Sequence, residues 1–188
     1  EYEARVKRVQ IRMATADIDV LITCNPANMT YLTGYDGWSF YTPQLVAVSV
    51  EHEEPVCIVR GIDRPGGFVT TYLSEENMLG YPDDYVQATD KHPMDWIGNQ
   101  LVERGMGKGR VAVDMDAYYY SARAHASLTA AMPNATFIDS GNLVNWVRIV
   151  KSDKEIAYMS QAARLVELAM QAGIDAINPG TRQCDAVA

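Results

Sequence analysis

The sequence predicts an α/β fold, a mixed sheet flanked by helices, followed by a separate long helix. Three observations predict it. Segments with helical and strand-like apolar spacing alternate along residues 2–138. Residues 44–50 and 55–60 are two β-rich runs joined by a polar turn, and residues 153–178 carry one uninterrupted amphipathic pattern. With 48% hydrophobic and 21% charged residues over 188 positions, the chain has enough apolar material for a core and is not of disordered composition.

Val6, Val9, Met13 and Ala16 recur at helical spacing among Arg5, Lys7, Arg8 and Arg12, which predicts an amphipathic helix over 2–16. Residues 17–19 turn the chain into a short buried strand at Val20, Leu21 and Ile22. Asn25 and Pro26 end that strand and open a turn or short helix through Leu32. The strands 44–50 and 55–60 form a hairpin about His52, Glu53 and Glu54, closed by Gly61. Residues 64–76 read as an irregular helix weakened by Pro65, Gly66 and Gly67, and residues 80–85 as a surface turn or a pocket wall.

Pro93 opens a helix over 93–104 with Met94, Ile97, Leu101 and Val102 on one side, ended by Gly105. A strand at 110–113, a helix at 118–132 stopped by Pro133, and a strand at 135–138 follow. Ser152 and Glu155 then form a capping box, each side chain satisfying the other's backbone N–H. Ile156, Met159, Ala163, Val166, Met170, Ile174 and Ile177 continue the pattern to Asn178, about 39 Å of helix. Thr181 reads as the cap of a further helix, and the chain is expected to stop inside that element.

Composition excludes several classes of function. A net charge of −8 argues against nucleic acid or an anionic membrane surface as partner. No apolar run approaches the roughly 20 residues of a membrane span, and the basic residues of the first helix do not form a signal peptide, so a cytoplasmic location is expected. Cys24, Cys57 and Cys184 are odd in number and widely spaced, which predicts idle thiols rather than a disulfide framework or a zinc site. His52, His92 and His125 are also far apart, so no metal is expected on this chain. Asp114 and Asp116 share one side of an extended chain, but Asp116 reads as the cap of the helix near Tyr118. The glycines at 105, 107 and 109 follow a helix and precede a strand, the reverse of a phosphate-binding loop. No nucleophile elbow is present, and no residue of this chain is assigned as a catalyst.

The densest feature is aromatic. Tyr31, Tyr35, Trp38, Phe40 and Tyr41 fall within 11 residues, where even spacing would place about one ring. Gly34 and Gly37 permit turns that would project rings from a loop, and flat rings attract cations with about 0.5–2 kcal/mol. Core packing is the alternative. Asp36 and Ser39, interleaved with the rings, favour the exposed reading, since polar groups are costly in a core without partners.

These residues carry a resemblance. Asn25-Pro26-Ala27-Asn28-Met29-Thr30-Tyr31-Leu32-Thr33-Gly34-Tyr35 resembles the opening motif of the creatinase/prolidase/aminopeptidase P family. Val147-Arg148-Ile149-Val150-Lys151-Ser152, with Glu155 and Ile156, resembles that family's junction into its pita-bread catalytic domain. Residues 35–41, 80–85, 92–94 and 143–146 look most like the ectoine hydrolase branch.

The resemblance implies a ribonuclease H-like N-terminal domain over 1–147, then the linker and first long helix of a pita-bread domain over 148–188. It implies a homodimer in which one subunit's N-terminal domain closes over the other's active site. Catalytic residues, and any divalent metal, would lie beyond Ala188. By the same resemblance Trp38, Phe40 and Tyr41 are the substrate-binding wall or lid, and the substrate is a small zwitterion of ectoine type. A dipeptide or creatine, or a non-enzymatic binding role, are the alternatives.

Overall fold

The computed structural model describes residues 1–187. The chain forms two compact units, one over Glu1–Arg148 and one from Ile149 onward. The first holds a six-stranded mixed sheet in the order β4-β3-β2-β1-β5-β6. Its strands are β1 (Val20–Thr23), β2 (Leu45–Ser49), β3 (Val56–Arg60), β4 (Met78–Tyr81), β5 (Lys108–Val113) and β6 (Asn134–Asp139). β2 runs antiparallel to both β1 and β3, whereas the β3–β4, β1–β5 and β5–β6 pairs are parallel.

Alternation of side chains across the strands divides the core into two layers. Leu21, Val46, Val48, Cys57, Val59 and Ala112 face helices α1 (Tyr2–Thr15), α2 (Pro26–Thr33) and α6 (Leu143–Arg148). Val20, Ile22, Leu45, Ala47, Ile58 and Val111 face α4 (Pro93–Glu103) and α5 (Ala122–Ala131). Central strands are therefore buried on both sides, which is why β1 reads as an unbroken apolar run. Each fully buried Leu, Ile or Met contributes about 1.5–3 kcal/mol. Gln10 is the buried polar residue of α1, and its amide donates to the Ser49 and His52 carbonyls at 2.8 and 2.6 Å, fastening the helix to the β2–β3 turn.

Several sequence expectations change. The irregular helix at 64–76 is only α3 (Arg64–Thr70), because Glu54 accepts from the Ser74 backbone and hydroxyl and from Asn77, holding the following segment out of helical geometry. Met78–Tyr81, of which only residues 80 and 81 fall in the expected turn or pocket wall, is an edge strand with both Met78 and Tyr81 buried. The helix expected at 118 starts at Ala122. Its cap is Ser121, whose hydroxyl accepts from the Ala124 N–H at 3.1 Å, while Asp116 is exposed in the preceding turn. Helix α6 at 143–148 has no counterpart among the elements read from the sequence.

In the second unit, Ser152 and Glu155 form the capping box, and α7 runs over Asp153–Ala176. A short helix α8 (Gln183–Val187) follows, with Arg182 rather than Thr181 just before it and paired to Asp185 at 2.7 Å. No helix of the described residues is long and apolar enough to cross a membrane. Cys24 and Cys57 are buried free thiols, and burial raises the pKa of both.

Candidate functional site: a ring-lined cleft

The aromatic stretch is split by α2. Gly34 ends that helix in the left-handed region (φ 85°), and a Cβ there would stand 2.7 Å from the Thr70 carbonyl oxygen, so glycine is required by both conformation and space. Tyr31 and Tyr35, on and beside the helix, are 6% and 4% exposed and belong to the core. The Arg8 guanidinium donates to the Tyr31 hydroxyl at 3.0 Å, and the Arg5 guanidinium lies 4.7 Å from the ring centroid. Beyond the turn the exposure reverses. Trp38, Phe40 and Tyr41 are 62%, 73% and 52% exposed. Their centroids are spaced 5.5 Å apart in sequence, tilted and then edge-on, so the three rings form one surface.

Polar contacts hold this loop. Ser39 accepts from the Thr42 N–H at 3.1 Å, and Gln44 donates to the Gly37 carbonyl at 3.0 Å. The Tyr81 hydroxyl donates to the Pro43 carbonyl at 2.8 Å from the edge strand, and burial pushes the pKa of that phenol up. Arg60, at the end of β3, grips Asp83 through two bonds of 2.8 and 3.1 Å and donates to the Tyr41 hydroxyl at 3.3 Å. That fork holds the Asp83 carboxyl below its usual range.

A cleft of about 410 Å³ opens beside the loop. Phe40 and Tyr41 form one wall, Tyr85 and Lys91 a second, Tyr118 and Tyr119 a third. Thus residue 85 of the stretch 80–85 stands in a pocket wall, while Tyr81 of the same stretch is core. The Lys91 ammonium pairs with Asp84 and lies 4.4 Å from the Tyr85 ring centroid, and the Asp84 carboxylate raises its pKa. His92 caps α4: its Nδ1 accepts from the Met94 N–H at 3.1 Å, which places the neutral ring's proton on Nε2. Burial, then the Arg123 charge, lowers its pKa, with Asp95 opposing. The sequence reading missed Lys91, Tyr119 and Arg123; three consecutive tyrosines at 118–120 were the available signal, absorbed there into a helix.

A second polar cluster is internal. Asp114, at the end of β5, is 4% exposed and accepts from Thr23, from Asn28 at 3.3 Å and from Ser140 at 2.6 Å. It joins the ends of β1 and β5 to the start of α2, and all its donors are neutral. The described residues offer no group of three or more His, Cys, Asp or Glu that would hold a metal ion. His125 instead shares a 3.0 Å hydrogen bond with the Tyr120 hydroxyl, and His92 caps its helix.

Comparison with known proteins agrees with this architecture. Residues 5–150 match the family model described as the creatinase/prolidase N-terminal domain. An uncharacterized hydrolase/peptidase, y4tM, of Sinorhizobium fredii is 47% identical over 188 residues, covering 100% of this chain and 48% of its own length. The ectoine hydrolase of Halomonas elongata is 42% identical over 181 residues, covering 96% of this chain and 45% of its own. In three dimensions a Xaa-Pro dipeptidase from Bacillus anthracis superposes with a TM-score of 0.73 at 18% identity, over 99% of this chain and 46% of that one. The chain spans about half the length of the curated relatives it matches. Opening motif, mixed sheet and family match coincide on the same residues, and the chain belongs to the creatinase/prolidase N-terminal domain family.

Proposed function

We propose that this chain is the N-terminal region of an ectoine-hydrolase-like enzyme that opens a cyclic amidine by C–N bond hydrolysis. Trp38, Phe40 and Tyr41 act as wall or lid of the substrate enclosure. The observation that carries this reading is the exposure of those three rings, with Phe40 and Tyr41 lining the cleft and Trp38 beside Phe40, while their neighbours Tyr31 and Tyr35 are buried. Leaving three large rings in water is costly unless something covers them. The 42% identity to an ectoine hydrolase supports the substrate class.

Adding water to an amidinium carbon and breaking one of its C–N bonds leaves an amide and a free amine. The step needs a carboxylate to take the water's proton, or to attack as nucleophile, and an enclosure that excludes bulk water. Ring faces suit the delocalised cation, at about 0.5–2 kcal/mol per contact. This chain supplies walls, and the carboxylate belongs to the catalytic domain. In the homodimer the rings of one subunit close over the active site of the other.

Assay of the full-length protein on ectoine, creatine and a proline dipeptide tests the reading. Ectoine is expected to give the highest kcat/KM, and the 188-residue chain alone to turn over none of the three. Preference for either other substrate, or turnover by the isolated chain, overturns it.

A further inference from the structure

We propose that Arg123 is the carboxylate anchor of the ring-lined cleft, with the Nε2–H of His92 as its second donor. The inference rests on the reading of the cleft as a substrate pocket and adds what that reading lacks, a partner for the negative end of the substrate. The cleft's charged lining consists of Lys91 and Arg123, both cationic, beside three ring walls. Lys91 is committed, since its ammonium pairs with Asp84 and sits over the Tyr85 ring.

Arg123 is differently placed. Its guanidinium makes one hydrogen bond, Nη2 to the Thr89 carbonyl at 3.3 Å, and has no carboxylate partner among the described residues. A guanidinium carries five N–H donors, so that bond orients the group and leaves most of its fork available. Two carboxylates close in sequence to the cleft segments are engaged elsewhere, Asp84 with Lys91, and Asp95 with the His92 N–H at 2.7 Å and with Ser127, while Asp90 acts on Lys91 and makes no ion pair with Arg123.

His92 is the second donor because capping occupies its Nδ1 and leaves the proton on Nε2, in the same cleft. His92 and Arg123 both line this cleft, and the Arg123 charge acts on the imidazole. A planar carboxylate bridging a guanidinium and an imidazole N–H would be held at one end, with its apolar or cationic body against the rings. The ligand class is therefore a small carboxylate with a flat or cationic body, discriminated from its uncharged amide.

The test uses the full-length protein and benzoate, with benzamide as the uncharged isostere, by isothermal titration. Wild type is expected to prefer benzoate. Arg123→Gln should weaken benzoate roughly ten- to hundredfold while leaving benzamide unchanged, and Arg123→Lys should recover part of the loss. On any substrate turned over, Arg123→Gln should raise KM by a similar factor with kcat within about twofold. Equal binding of benzoate and benzamide by wild type, or benzoate binding unchanged in Arg123→Gln, overturns the anchor. Absence of turnover on ectoine, creatine and proline dipeptide would sink the functional reading alone, because the benzoate comparison still decides the role of Arg123.

Discussion

The Trp38 indole N–H donates to the Tyr119 hydroxyl at 3.0 Å, joining two loops 81 residues apart in sequence. It ties the exposed ring surface to Tyr119, a residue that lines the cleft. Because Trp38 is mostly in water, the bond is worth at most about 1 kcal/mol to folding. Trp38→Ala in the full-length protein is therefore expected to leave the melting temperature nearly unchanged while raising KM or lowering kcat several-fold. Tyr119→Phe should act in the same direction and less. Unchanged kinetics in Trp38→Ala would return the ring to surface packing.

Asp114 concentrates the internal polar network on one carboxylate. Asp114→Ala leaves the hydroxyl donors of Thr23 and Ser140 buried without an acceptor, and leaves the Asn28 amide only its 3.4 Å bond to the Thr23 hydroxyl. Such orphaned groups cost about 1–3 kcal/mol each before relaxation, so a loss of about 3 kcal/mol in urea denaturation is expected. A variant as stable as wild type would show that water or rearrangement satisfies these groups.

Gly98 lies where α4 packs against α5. A Cβ there would stand 2.6 Å from the Ala131 Cβ. Gly98→Ala gains about 1 kcal/mol of helix propensity, but overpacking of this kind costs about 1–3 kcal/mol. Net destabilisation is expected, and adding Ala131→Gly should recover much of it. Additive losses in that double variant, measured by denaturant midpoint, would argue against the steric cause.

His92 links helix capping to pH. Burial and the Arg123 charge make its imidazolium unfavourable in the fold, so the folded chain binds this proton less readily than the unfolded one. The stabilisation is complete above about pH 6.5, the ordinary histidine value, and is lost as pH falls from there toward the lowered folded value. His92→Asn keeps a cap and removes the titration. Thermal melts at about pH 7.5 and 5 should fall further for wild type than for His92→Asn. Parallel losses would place the titrating group elsewhere.

Much of the fold was legible because it rests on local periodicity. Val6, Val9 and Met13 predict α1, the paired runs about residues 52–54 predict the β2–β3 hairpin, and Ser152 with Glu155 predicts the start of α7. β4 was not legible. Gly80 interrupts a four-residue edge strand whose residues lack β-branching, and it forms because β3 offers a parallel partner, a neighbour that no local pattern encodes. The start of α5 was misplaced because Asp116 and Ser121 are both competent caps, and packing of Ala124 and Leu128 against the sheet selects Ser121.

The site divides in the same way. By itself the sequence determined that rings cluster between residues 31 and 41, that glycine allows the chain to turn among them, and that the chain is acidic, since composition and backbone permissiveness are properties of neighbours along the chain. Only the tertiary structure decided which rings are core and which face water. It also set the walls of Tyr85 and Tyr119 against them and left Arg123 without a carboxylate partner among the described residues. Those outcomes depend on segments about 40–80 residues apart being brought together by burial of two core layers, and burial is a free energy of the whole domain rather than of any stretch of sequence.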